Sequence, residues 1–232
     1  MSYNITILKT AHIDCANSVI YKGGDFNETT TIGCHAFLLN KGGEYYLIDT
    51  GIEDIKTANT TKSSVDDWKR SAEEHSVKEN LELLKVPCDK ISKVFFTHAH
   101  YDHISGVCHF KNAVFYMTKT EYAELYSEDN RNKKVLKDAK EFLKDKELVL
   151  FDDELTVDDI KLKLRGGHTK GSMSVELDGK IFVGDTIFVH DNLKRKIPAG
   201  YTADREASDR LLDEYLSYDK QLITSHDFNE VV

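Results

Sequence analysis

The chain has little of what breaks or staples a fold. It holds two prolines and one tryptophan in 232 residues. Its four cysteines, Cys15, Cys34, Cys88 and Cys108, form no CxxC pair and match neither a zinc ribbon nor a disulfide framework. They are expected as reduced, mostly buried thiols of a cytoplasmic protein. No stretch of about 18 apolar residues is present, which excludes a transmembrane helix. The opening MSYNITILKTAH lacks a basic cluster followed by an apolar run, so no secretory signal is read there. Positive charge is in deficit: 31 Lys and Arg against 40 Asp and Glu leave a net charge of −9. An acidic surface repels phosphate backbones, so the partner expected is a small-molecule substrate, with no nucleic acid and no membrane.

What is present argues for a packed α/β chain. Apolar residues make up 40% and are spread along the whole length, which excludes a disordered chain. Strand-length runs rich in Val, Ile, Phe and Tyr recur at Ile5–Leu8, Ala36–Leu39, Tyr45–Ile48, Val94–Phe96, Ala113–Met117 and Leu148–Phe151. Ile160–Leu164, Met173–Leu177, Ile181–Val183 and Leu222–Thr224 continue the series. Asp178-Gly179 is a two-residue hairpin signal between two of these runs. Helical spacing is read over Val65–Leu84, stopped by Pro87, and over Thr120–Tyr126, Arg131–Leu143 and Asp204–Leu216, with Asp204 as a cap. The polar stretch Ile52–Ser64 reads as a solvated connection or as a lid over a site. No repeat or linker divides the chain, so residues 1–232 are expected to form a single domain.

The sharpest feature is Thr97-His98-Ala99-His100-Tyr101-Asp102-His103, directly after the strand Val94–Phe96. Three imidazoles and a carboxylate so close together are a metal-ligand pattern rather than a packing pattern, suiting Zn, Mn, Fe or Co. In an extended stretch His98 and His100 point to one side, and a tight turn after Tyr101 would swing Asp102 and His103 towards a second ion. Three further strand ends carry ligand types: Gly166-Gly167-His168, Gly184-Asp185-Thr186 and Ser225-His226-Asp227. Taken singly, each reads as a satisfied core histidine or a capping aspartate. Together they call for metal.

The order HxHxDH, then His, then Asp, then His resembles the metallo-β-lactamase superfamily over almost the whole chain, from Asp49-Thr50-Gly51 to His226. The resemblance implies an α/β fold, a four-layer αββα sandwich with the metal site at one edge between two sheets. It implies a first ion held by His98, His100 and His168, a second held by Asp102, His103 and His226, and Asp185 bridging both. Asp49 would orient a ligand imidazole. Two divalent transition-metal ions, zinc first among Zn, Mn, Fe and Co, would share a hydroxide that attacks a carbonyl, with Asp102 as the catalytic proton carrier.

Among branches, flavodiiron proteins need a Glu where Ala99 stands, and glyoxalase II has a long helical domain after the bridging Asp, whereas this chain ends soon after His226. Phe188 to Gly200 and the helix after it look like the N-acyl homoserine lactonase branch. That branch carries a Tyr where this chain has Phe188, and a phenyl ring cannot donate a hydrogen bond to a lactone oxygen. His190, Tyr201 and Tyr101 are the hydrogen-bonding residues considered in its place. The expected activity is a lactonase-like hydrolase. The alternatives are a thioester, amide or β-lactam hydrolase of the same superfamily, and a non-catalytic metal-binding protein. A turnover assay separates the last from the rest.

Overall fold

A computed structural model describes residues 2–61, 67–128 and 134–232. The chain runs through β1 (Asn4–Ala16), the short helix α1 (Asn17–Ile20), β2 (Thr29–Lys41) and β3 (Glu44–Ile48). Helices α2 (Ile55–Ala58) and α3 (Val77–Leu83) precede β4 (Ile91–Phe95), α4 (Tyr101–Ile104) and β5 (Val114–Thr118). Helices α5 (Lys119–Tyr126) and α6 (Lys137–Lys144) lead to β6 (Leu148–Phe151). The remainder is β7 (Glu154–Val157), β8 (Ile160–Leu164), β9 (Met173–Leu177), β10 (Lys180–Phe182), α7 (His190–Arg195), α8 (Arg205–Leu216) and β11 (Gln221–Ile223).

The strands form two sheets, in the orders β1-β2-β3-β4-β5-β6 and β11-β10-β9-β8-β7. Along β2, Phe37 and Leu39 face one way and Ala36 and Leu38 the other, and all four are buried. The first pair joins Phe95, Leu162, Val175, Phe182 and Ile223 in the layer between the sheets, where the Phe37 and Phe182 rings meet edge-on at 4.8 Å. The second pair packs outward with Leu81 of α3, Leu125 of α5 and Leu143 of α6. On the far side, Leu211, Leu212 and Tyr215 of α8 cover Ile181 and Leu222. Helix, sheet, sheet, helix is the expected αββα sandwich, and β2, β5 and β9 are buried on both faces, which is why they read as nearly continuous apolar runs.

Local signals hold where a backbone requirement stood behind them. Asp178 and Gly179 both take positive φ, 46° and 75°, in the β9–β10 turn. Asp204 accepts a hydrogen bond from the Ala207 N–H and caps α8. The four cysteines are thiols rather than disulfides, with Cys15 and Cys34 buried and Cys88 and Cys108 half-buried.

The expected helix Val65–Leu84 is corrected. Its first residues, 65 and 66, lie outside the described part, and the helix begins only at Val77. A capping box of Ser76 and Glu79 starts it there. Before it, the backbone at Lys69 pairs with His12 of β1, and the Arg70 guanidinium donates to the carbonyls of Thr10, Ile52 and Glu53. Pairing with β1 satisfies the backbone that a helix would otherwise have satisfied internally. The helix expected over Arg131–Leu143 begins at Lys137. Residues 131–133 are outside the described part. Strands β1 and β2 run to 13 residues each, because they pair almost throughout despite polar side chains at His12, Asp14 and Thr29–Thr31.

Candidate metal centre

Four strand ends converge at one edge of the sandwich. The chain leaves β4 through Thr97 and His98, and His100 then caps α4, whose single turn carries Asp102 and His103. His168 follows β8, Asp185 follows β10, and His226 follows β11. Gly184 lets the Asp185 turn pass the β4 exit: its φ is 53°, and a Cβ there would lie 2.8 Å from the Thr97 Cβ.

All seven residues expected as ligands come together, in two groups: His98, His100 and His168, and Asp102, His103, Asp185 and His226. Within each group the candidate ligand atoms lie within 4.8 Å of one another. In the first, His98 Nε2 and His168 Nε2 stand 3.1 Å and 2.9 Å from His100 Nδ1. Asp185 stands between the groups. Its Oδ2 is 3.7 Å from His98 Nε2 and 3.4 Å from His168 Nε2, its Oδ1 is 3.2 Å from His103 Nε2, and His226 Nε2 lies near both oxygens, 3.1 Å from Oδ1 and 3.2 Å from Oδ2. Asp102 Oδ2 sits 3.7 Å from both His103 Nε2 and His226 Nε2, and its side chain is 20% exposed against 4% for Asp185.

For four of the five rings the outward nitrogen shows which side points inward. His103 Nδ1 donates to Asp49 Oδ2 at 2.9 Å, His226 Nδ1 to the Gly33 carbonyl at 2.6 Å, and His168 Nδ1 to the Tyr201 carbonyl at 3.4 Å. His98 Nδ1 lies 3.2 Å from Thr97 Oγ1, whose own proton goes to Asp49 Oδ2 at 2.7 Å. With the outer nitrogens protonated, the inner ones present lone pairs to one another. Among the described residues, His103 Nε2 and Asp185 Oδ1 are buried without a hydrogen-bond partner. Converging lone pairs around a carboxylate make a donor set that a divalent cation would satisfy, so the residues present fit two ions.

The protonation preferences agree for the first group and oppose neutral imidazoles in the second. Burial lowers the pKa of His98, His100 and His168, that of His168 to about 3, and so favours the neutral, ligating imidazole. For His103 and His226 burial works the same way, but the Asp185 and Asp102 carboxylates outweigh it and raise both. Burial alone would raise Asp185. The imidazoles of His226, His103, His98 and His168 around it instead hold it well below the usual carboxylate range.

Asp49 takes the orienting place expected of it. It accepts the Thr97 N–H at 2.8 Å and the Thr97 hydroxyl as well as His103 Nδ1, from a left-handed backbone with φ of 56°. Three aromatic side chains surround the ligands. Phe188 stacks on His226 at 5.5 Å and meets His168 edge-on at the same distance. Trp68 lies 6.4 Å from His226, and Asn59 holds its backbone through both the N–H and the carbonyl. Tyr201, half exposed, lies 5.4 Å from His168. Of the three residues considered for the missing phenol, Tyr201 alone flanks the ligands. Tyr101 donates to the Asp54 carbonyl, and His190 pairs with Glu230. The stretch 52–61 is not an open loop: it contains α2, capped by Asp54, and the turn Asn59–Thr61, while Ser63 and Ser64 lie outside the described residues.

A cavity of about 530 Å³ opens beside the first group, lined by His100, His168, Lys170 and Tyr201 and by Glu121 and Glu124 of α5. The sequence reading missed Glu121. It is buried, and desolvation lifts its carboxyl to about 7 against the lowering effect of its two hydrogen bonds. The signal available was Thr118-x-x-Glu121 at a strand-to-helix junction, a capping-box pattern whose Glu here turns away to the site.

The metallo-beta-lactamase superfamily model matches residues 29–223. A probable metallo-hydrolase of Methanocaldococcus jannaschii is 32% identical over 154 residues, a stretch covering 66% of this chain and 66%, just under two thirds, of that protein. A Bacillus thuringiensis (B. thuringiensis) AiiA variant with N-decanoyl-L-homoserine at its active site superposes with a TM-score of 0.81 at 16% identity, covering 98% of this chain and 95% of that one. An N-acyl homoserine lactone hydrolase with N-hexanoyl-L-homoserine at its catalytic metal centre gives 0.81 at 17% identity and the same coverage. The two structures speak for the fold, and the family match spans most of the chain: the protein belongs to the metallo-β-lactamase superfamily.

Proposed function

We propose that this protein is a dinuclear metal-dependent hydrolase of a small-molecule carbonyl substrate, a lactone of the N-acyl homoserine type. The observation that carries the reading is Asp185, whose carboxylate stands between the two groups, with Oδ2 within 3.7 Å of the His98 and His168 nitrogens and Oδ1 within 3.2 Å of the His103 and His226 nitrogens. His98, His100 and His168 would hold one ion and Asp102, His103 and His226 the other, with Asp185 shared. When bound, such a pair supplies Lewis acidity to a carbonyl and lowers the pKa of water at the site.

The rest is work for the chain's own residues. Asp102 is the partly exposed carboxylate of the set, so its Oδ2 can take a proton from water and pass it to the leaving alkoxide. Phe188 and Trp68 press on His226 and keep bulk water from that face. The cavity beside His100 and His168 offers room for an acyl chain, with Tyr201 in its lining. The homoserine-bound neighbours support the lactone reading through the shared fold.

Phe188 favours a second reading, a thioester or another carbonyl substrate, because no phenol stands at that position to meet a lactone oxygen. Metal analysis and one kinetic panel test both. Protein purified without chelator and reconstituted with Zn or Mn should hold two ions per chain; less than about half an equivalent would refute the metal reading. Wild type and Phe188→Tyr are then compared on a short and a long acyl-homoserine lactone and on a thioester. Lactone turnover is expected, with kcat/KM raised about tenfold by the new hydrogen bond. Thioester turnover with no lactone turnover by either protein would replace the first reading with the second.

A further inference from the structure

We propose that Glu121 is the positioning residue that sets the spacing of His98 and His100 from His168, and through it the affinity of this three-histidine group for its ion. The inference rests on the reading that these three residues hold a metal.

The two ligand turns come from different sheets, one after β4 and the other after β8. Glu121, on the first turn of α5, lies between them. Its Oε1 accepts the Ala99 N–H at 2.6 Å, and Ala99 separates His98 from His100. Its Oε2 accepts the Thr169 hydroxyl at 2.5 Å, and Thr169 follows His168. The His168 turn is closed on itself by Ser172, whose Oγ accepts the Thr169 N–H at 3.0 Å and lies 2.8 Å from Thr169 Oγ1. It also rests on the start of α5: Thr118 Oγ1 donates to the Gly171 carbonyl at 2.8 Å, and a Cβ on Gly171 would lie 2.2 Å from the Glu121 N.

Helix formation does not account for this carboxylate. Thr118 already caps α5, its Oγ1 accepting the Glu121 N–H at 3.1 Å. A buried carboxyl is costly, and both of its oxygens are committed to residues adjacent to ligands rather than to the helix. It therefore acts as a strut across the group, and groups that orient ligands in this way typically change metal affinity by about 10–100-fold.

The test is zinc affinity of the full chain by chelator competition, resolving both ions, for wild type, Glu121→Ala, Glu121→Gln and Thr169→Val, with melting of each metal-free protein. Glu121→Ala should weaken one ion by about 10–100-fold and leave the other within about threefold. Glu121→Gln keeps an acceptor for Ala99 and offers an amide to Thr169 Oγ1, so it should restore affinity to within about fivefold. Thr169→Val removes one arm of the strut and should weaken the same ion by a smaller factor; it serves should Glu121→Ala not fold. Metal-free melting should be similar across the set. The proposal is overturned if Glu121→Ala binds both ions as wild type does, if Glu121→Gln is as impaired as Glu121→Ala, or if both ions weaken together with a drop in metal-free melting. Wild type that binds no ion would instead remove the metal reading beneath it.

Discussion

Asp102 differs from the other carboxylates around the ligands in two physical respects. It is partly exposed, whereas Asp49 and Asp185 are buried, and its oxygen faces only the His103 and His226 side. Asp49 is fully committed to Thr97 and His103. A proton carrier must reach both water and substrate, and this is why the role is proposed for Asp102. Asp102→Asn preserves volume and removes the proton acceptor. A fall of about 10²-fold or more in kcat is expected in steady-state assays with saturating metal. An effect below about fivefold would place the base elsewhere. The backbone at this point is held independently of the carboxylate, by the Cys34 thiol donating to the Asp102 carbonyl at 3.1 Å, so the substitution should leave α4 in place.

Short segments hold the ligand turns from outside. After β11, Glu230 folds back and accepts from the Thr224 N–H and hydroxyl and from His190 Nε2, while Asp227 accepts the His190 N–H. The clasp ties α7 to the turn bearing His226. Its hydrogen bond to Glu230 raises the His190 pKa above the ordinary 6.5, partly opposed by burial. The sign follows from linkage: a histidine raised on folding contributes stability that is full below its unfolded value and fades as pH rises through the folded value. His190→Asn should therefore destabilise the metal-free protein more at pH about 5.5 than at pH about 9, by ~1 kcal/mol or more. Urea unfolding of both metal-free proteins at the two pH values measures this, and an equal loss at both would contradict it. At the same scale the misplaced helix is instructive. Apolar spacing from Val65 to Leu84 looks helical, yet Ser76 and Glu79 mark the true start, and before it Lys69 and His75 bond β1 through their backbone. The capping box was readable; the competing pairing with a distant strand was not.

Across the molecule, the ligand residues belong to both layers of the sandwich. His98, His100, Asp102 and His103 follow β4 of the six-stranded sheet, and His168, Asp185 and His226 follow strands of the other. Bound ions would cross-link the two sheets and stabilise the folded chain by mass action. At free metal about 100-fold above Kd this is about 2.7 kcal/mol for each ion. For a chain of this size each kcal/mol is worth about 2–4 °C, so removing both ions should lower Tm by about 10–20 °C in calorimetry. No shift would mean that the ligands do not link the sheets.

The amino-acid sequence by itself determined the α/β class and the seven candidate ligands, and its resemblance to a known family implied the αββα layering. Strand runs buried on both faces, and imidazoles and carboxylates placed just after them, are local patterns that a side chain's own chemistry makes legible. Tertiary structure alone decided that Tyr201 rather than Tyr101 or His190 flanks the site, that Trp68 covers His226, and that Glu121 joins two ligand turns. Each of these depends on residues far apart in the chain, such as Ala99 and Thr169 meeting across Glu121. No spacing along a sequence encodes such a meeting, because it arises only when two sheets pack face to face and bring their strand ends to one edge.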